Sequence, residues 1–137
     1  MTWTGGCLCE EIRYEISADP IWVGICHCRW CQRHSGSAFL TLAMFHTDDV
    51  IWLKAKPAVF QSSPDVERGI CPRCGSTLTF ARGGRNEMNV TAGSLDNPNV
   101  IQPMQHIFSE QKCAWLHLDD ALPSYDRYPP GGEDRDF

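Results

Sequence analysis

Cys26-His27-Cys28-Arg29-Trp30-Cys31 places three thiols within six residues, spaced one and two apart. Core packing has no use for cysteines at that density, but a metal does, because thiolates so spaced can approach one ion from a single turn. Two further close pairs, Cys7-Leu8-Cys9 and Cys71-Pro72-Arg73-Cys74-Gly75, supply four more sulfurs. The expectation is two zinc sites of different kinds. Four cysteines from two knuckles close a structural tetrahedron, whereas three from one short loop leave a coordination position for water or substrate.

Outward from that loop, the chain reads as short strands. Ile21-Trp22-Val23-Gly24-Ile25 is a β-prone run that delivers the backbone into Cys26, so the loop stands at a strand end. Upstream, Glu11 to Ser17 alternates polar and apolar with period two, as a half-buried strand does. Downstream, Gln32 to Ser37 is polar and suits one helical turn broken by Gly36. Ala38 to Phe45 is apolar almost throughout, the pattern of a strand covered on both faces, although periodicity alone does not separate it from a buried helix. Val50 to Leu53, Ala58 to Gln61 and Glu67 to Ile70 are further strand candidates, and the last of them ends at Cys71. Ser76 to Ala81 alternates again and forms a hairpin with it, the knuckle being the turn and Gly75 taking a φ > 0 position. Met88 to Ala92 and His106 to Phe108 read as strands, Gly93 to Asn99 as a surface loop, and Ala114 to Leu118 as a last strand or a short helical turn.

No long amphipathic helix interrupts this pattern, so the class is mainly β. One zinc-binding domain is expected over residues 1–125, with a disordered tail over 126–137, where Pro-Pro-Gly-Gly-Glu-Asp-Arg-Asp is poor in apolar residues. A chain of 137 residues is small enough for metal cross-links to matter to its stability. Twelve Lys plus Arg against 17 Asp plus Glu give a net charge of −5 with no basic block, which argues against nucleic acid or an anionic membrane as partner. The start has neither a basic nor an apolar leader region, and no apolar run approaches the ~18 residues a membrane span needs. The expected compartment is the cytoplasm, where eight cysteines point to metal ligation or redox work. A metal-free disulfide scaffold is the alternative, disfavoured because several pairs are too close in sequence to staple loops.

Cys7, Cys9, Cys71 and Cys74 would close one site if their knuckles meet in space. Cys26, Cys28 and Cys31 would hold the other and carry the chemistry. For its fourth position the candidates are Cys113, His27 and His34. Cys113 is remote from any knuckle and reads as a free structural thiol, while His27, flanked by ligands, is expected to hydrogen-bond around them and not to coordinate. Zinc on three thiolates lowers the pKa of an arriving thiol and holds its nucleophilic form. Three negative ligands make the ion a weaker acid toward water than an imidazole site would, so thiol chemistry is favoured over hydrolysis. His34 or His106 is a candidate proton shuttle, and Arg29 and Arg33 are candidates for attracting a substrate carboxylate.

Gly6-Cys7-Leu8-Cys9, the Cys26 to Cys31 stretch, Gly36-Ser37, Cys71-Pro72-Arg73-Cys74-Gly75, Gly93-Ser94-Leu95-Asp96, His106-Ile107 and Trp115 occur in an order that resembles the glutathione-dependent formaldehyde-activating enzyme family, which includes the centromere protein V domain. The likeness runs from about Gly5 to about Tyr125. It implies a β-tent fold of stacked antiparallel sheets, one structural and one catalytic zinc on the cysteine sets above, and condensation of glutathione with formaldehyde to S-(hydroxymethyl)glutathione. The function expected is thus a zinc-dependent carbon–sulfur lyase acting on thiol/aldehyde adducts, with a small thiol and an aldehyde as partners. The competing expectation is a non-catalytic zinc module that binds a protein or senses thiols or metal, using Trp22, Trp30 or Trp52 at an interface.

Overall fold

In the computed structural model, which describes residues 2–132, the strands form two sheets. The smaller contains β1 (Trp3–Gly6), β2 (Arg13–Ile16) and β5 (Val50–Trp52), in that order and antiparallel. The larger has seven strands. Starting from one edge, it runs β10 (His106–Ile107), β3 (Trp22–Cys26), β4 (Leu40–His46), β9 (Glu87–Thr91), β8 (Thr77–Arg82), β7 (Val66–Ile70) and β6 (Ala58–Ser63). Every pairing in it is antiparallel except β10 on β3. One short helix, α1 (Arg29–Ser35), follows β3. Among the described residues no helix is long and apolar enough to cross a membrane.

Strand alternation decides what each face meets. On β4, Ala43 and Phe45 point toward the small sheet and share a buried cluster with Trp3, Tyr14, Ile16 and Val50. Leu42, of the other parity, packs in a second cluster with Cys26, Cys28, Cys31, Phe80 and Ile107. The apolar stretch through β4 is therefore covered on both faces in its middle, by a sheet on one side and by the three-cysteine segment on the other. On β3 the same rule puts Trp22 and Cys26 on the cysteine face and Val23 opposite.

Strand β1 escapes the sequence pattern because half of it is glycine. The structure explains why: a Cβ on Gly5 would lie 2.4 Å from the Tyr14 hydroxyl and 2.5 Å from the Ser94 carbonyl oxygen. Of the two expectations for Ala114 to Leu118, a last strand or a short helical turn, the structure has a turn, closed by Leu116 N–H on the Cys113 carbonyl (3.0 Å). The domain was expected to end at residue 125, yet the next residues pack back onto it. Phe108 N–H donates to Arg127 O (3.0 Å), and the Tyr128 ring stands edge-on to Phe108 at 5.1 Å. An aromatic ring within a polar stretch is what holds this segment down. Residues 133–137 of the expected tail lie outside the described residues.

The loop after β9 is tied to β1 and β2 through Asp96. Arg13 forks onto its carboxylate, with Nη1 at 2.8 Å, and Thr4 Oγ1 donates at 2.5 Å. Arg13 and Thr4 together hold the Asp96 carboxyl down to about 2. A folded pKa below the unfolded value of ~3.9 contributes stability above that value and loses it as pH falls toward 2. The Asp96 side chain is 45% exposed, so solvent screening keeps the effect below ~1 kcal/mol. We expect Asp96→Asn to lower the urea midpoint slightly at pH 7, with the difference from wild type shrinking between pH 4 and pH 2; a difference that grows with acid contradicts the assignment.

Candidate metal centres

The turn between β1 and β2 carries Cys7 and Cys9, and the turn between β7 and β8 carries Cys71 and Cys74. Each is a tight loop. Cys7 N–H bonds Ile12 O at 3.0 Å in the first, and Cys71 N–H bonds Ser76 O at 3.0 Å in the second. Gly75 takes φ +78° and Glu10 φ +65°, so the first turn puts a glutamate where a glycine is unstrained. Leu8 N–H donates to Ser76 Oγ (2.9 Å) and brings the two turns side by side.

Their four sulfurs lie within 4.8 Å of one another. Cys7 to Cys9 is 3.6 Å and Cys9 to Cys71 is 3.8 Å, far beyond a disulfide bond and close to the ~3.8 Å edge of a tetrahedron with Zn–S of ~2.3 Å. N–H groups point at the sulfurs, Ile12 to Cys7 at 3.2 Å and Cys74 to Cys71 at 3.4 Å. The Ser76 hydroxyl and amide lower the Cys74 thiol to about 5, which favours the ligating thiolate. The donor set fits a closed structural zinc site that joins the small sheet to the large one.

The second set is built by one short segment. Cys26 ends β3, Cys28 is the N-cap of α1, its sulfur accepting Cys31 N–H at 3.2 Å, and Cys31 lies in the first turns of that helix. Helix α1 thus starts at Arg29, three residues before the turn expected from sequence, and ends where expected, on Gly36 at φ +73°. The three sulfurs are within 4.8 Å of one another, and all three residues are at most 1% exposed. Crowded thiols divide their charge unequally. The neighbouring cysteines push Cys26 up and, with help from Arg68, lower Cys31.

Cys113 does not join this group. Its sulfur points to Gln32 Oε1 at 3.7 Å. Gln32 is buried and occupies itself with the backbone, its Nε2 donating to His27 O (2.6 Å) and Gln111 O (3.0 Å). Among the described residues the trio has no fourth cysteine, histidine or carboxylate within the same reach.

The histidines separate into two places. His27 is fully buried, and its Nε2 meets His106 Nδ1 at 2.8 Å. His106 Nε2 in turn meets Asp120 Oδ2 at 2.8 Å, so a line of polar groups runs from between two trio cysteines toward the surface. Burial lowers the His27 pKa to about 4, which keeps it neutral. His34 stands at the far end of α1 with its ring 5.6 Å from Phe60 and its Nε2 buried without a hydrogen-bond partner. Burial first, and Arg68 second, lower its pKa too. Arg29 and Arg33 are exposed, and Arg29 Nη1 donates to Gln32 Oε1 at 2.6 Å.

Sequence reasoning overlooked Arg68. It is 1% exposed, and its Nη1 and Nη2 lie 3.7 and 3.8 Å from Cys31 Sγ. On β7 it shares the parity of buried Val66 and precedes Cys71 by three residues, and that parity was the available signal. Tyr128 likewise falls within the segment expected to be a tail. Its hydroxyl accepts Arg82 Nη2 at 2.5 Å, and its ring packs against the trio's apolar cluster. Beside that cluster opens a cavity of about 580 Å³ walled by Trp22, Leu42, Phe80, Ile107 and Tyr128, with Arg82 at its rim.

Comparison with known proteins agrees with this architecture. A crystal structure of a Rhodobacter sphaeroides protein superposes with a TM-score of 0.60 over 89% of this chain and 99% of that one; at 16% identity the likeness is one of fold. An uncharacterized lyase of Schizosaccharomyces pombe is 29% identical over 125 residues, which cover 90% of this chain and 84% of that protein. Residues 2–111 match the family described as glutathione-dependent formaldehyde-activating enzyme. That span contains both cysteine sets, His27, His34, Arg68 and His106, and stops short of Asp120 and Tyr128. The chain belongs to the glutathione-dependent formaldehyde-activating enzyme family.

Proposed function

We propose that this chain is a carbon–sulfur lyase of the S-(hydroxymethyl)glutathione synthase type, joining a small thiol such as glutathione to an aldehyde such as formaldehyde and splitting the adduct in reverse. Two zinc ions serve it, one structural on Cys7, Cys9, Cys71 and Cys74 and one catalytic on Cys26, Cys28 and Cys31. The reduced state these ligands need fits the cytoplasm. The observation that carries the reading is the convergence of three buried sulfurs with no fourth such ligand among the described residues. Membership of the family and the lyase named among its relatives support it. Zinc at the trio supplies a Lewis acid that favours the thiolate form of an incoming thiol.

The remaining work falls to the chain. The cavity walled by Trp22, Phe80, Ile107 and Tyr128, side chains that pack in the same apolar cluster as the trio, receives the substrate. His34, one helical turn past Cys31 and neutral at pH 7, takes the thiol proton on its unpaired Nε2. The thiol sulfur then bonds to the carbonyl carbon, the carbonyl π pair moves to oxygen, and that oxygen receives the proton. Holding both reactants together supplies much of the acceleration.

The test follows formaldehyde by proton NMR with glutathione present and with a thiol-free control. We expect the protein to accelerate loss of formaldehyde only with thiol, and thiol to shift the visible spectrum of the cobalt-substituted protein. If neither happens, the chain is a binding or sensing module. Of the tryptophans such a module would use, Trp22 and Trp52 pack against core clusters, which leaves Trp30, 47% exposed.

A further inference from the structure

A buried guanidinium needs an anion, because a charge taken out of water without one is strongly disfavoured. Arg68 is among the largest fully buried side chains, and its partners are few. Its Nε donates to Ser62 Oγ at 3.0 Å, its plane lies 5.0 Å over the Phe80 ring, and both terminal nitrogens face Cys31 Sγ. None of these partners is a carboxylate. Among the described residues that it touches, the group able to carry a compensating charge is the cysteine trio.

The two cysteine sets handle their charge differently. At the four-sulfur site, backbone N–H groups and the Ser76 hydroxyl point at sulfur, and Cys9 and Cys74 are partly open to solvent. The trio is sealed, with one N–H, from Cys31, on the Cys28 sulfur. A divalent ion on three thiolates carries one net negative charge, which a single fixed cation cancels. A fourth, anionic sulfur would then restore one negative charge, where without the cation it would make two in a site closed to water.

We propose that Arg68 is the fixed counter-cation of the trio and that it sets this centre to accept an anionic sulfur ligand in preference to a neutral one. Arg68 touches no substrate in this scheme; it is a positioning residue that acts through Cys31. The inference rests on the trio being an open metal site.

The test titrates cobalt-loaded protein with 2-mercaptoethanol, an anionic ligand once bound, and with imidazole, a neutral one, reading the visible spectrum. Wild type should favour mercaptoethanol. In Arg68→Met its affinity should fall tenfold or more while imidazole affinity changes less than threefold, and Arg68→Lys should recover most of the preference. Equal losses for both ligands, or no loss for either, overturn the proposal, as does an Arg68→Lys protein that behaves like Arg68→Met. Removing one partner of a buried charge pair is strongly destabilising, because the other charge is left uncompensated. Should Arg68→Met fail to fold, Arg68→Lys alone decides: a retained preference supports the charge role and a lost one refutes it. A wild type that loads cobalt at the trio but ignores both ligands refutes the open-site reading itself, an outcome distinct from wild type and variant responding alike.

Discussion

Replacing Cys71 by serine is expected to leave the chain largely unfolded at 37 °C, with a loss of at least ~3–5 kcal/mol of stability. Cys71 lies in the turn between β7 and β8, its sulfur 3.8 Å from that of Cys9 in the turn between β1 and β2. These turns belong to different sheets, so an ion held by the four sulfurs would fasten the small sheet to the large one. Structural zinc binding in small proteins is worth ~10–16 kcal/mol at neutral pH, comparable to or larger than the ~5–15 kcal/mol net stability of a whole domain. A ligand set reduced to three sulfurs, one from the β7–β8 knuckle, gives up a large part of that. Far-UV circular dichroism with urea titration measures the loss, and a strong chelator added to wild type should reproduce it. A Cys71→Ser protein that keeps the wild-type urea midpoint rules out the structural role.

Cys28→Ser should give the opposite pattern. Catalysis of the thiol–aldehyde reaction is expected to fall ~1,000-fold or more, equivalent to ~4 kcal/mol at the transition state, while stability changes by under ~2 kcal/mol. Serine is a preferred N-cap, so its oxygen can take over the bond that Cys28 sulfur accepts from Cys31 N–H and helix α1 should persist. The hydroxyl is a poor zinc ligand, and the trio falls to two sulfurs. Bound metal should drop from two ions per chain to one. Activity within tenfold of wild type, in a protein that has lost one ion, places the chemistry elsewhere.

These contrasting outcomes follow from residues that were visible in the sequence. Cysteines one and two apart have few uses besides ligation, and Gly75 after the knuckle and Gly36 after the helix marked turns that the structure contains at φ +78° and +73°. Local chemistry is written in local spacing. What the sequence hid were consequences of long-range contact. Gly5 looks like a strand breaker until the Tyr14 hydroxyl and Ser94 carbonyl are seen beside it. Arg68 sits within a short strand candidate with no local sign of its role, since the sulfur that it faces is 37 residues away. His27, His106 and Asp120 are joined only because β10, two residues long, pairs parallel to β3, and nothing in two residues announces a parallel pairing. Helix α1 began earlier than its residues suggest because Cys28 doubles as ligand candidate and N-cap.

Native mass spectrometry of freshly prepared, reduced protein, before and after addition of glutathione, bears most directly on a metal centre held by three sulfurs with room for a fourth. Two zinc ions per chain are predicted, with one glutathione retained per chain in wild type and none in Cys28→Ser. A single zinc that never acquires a thiol, or a mass two hydrogens short from a disulfide within Cys26, Cys28 and Cys31, would contradict the account.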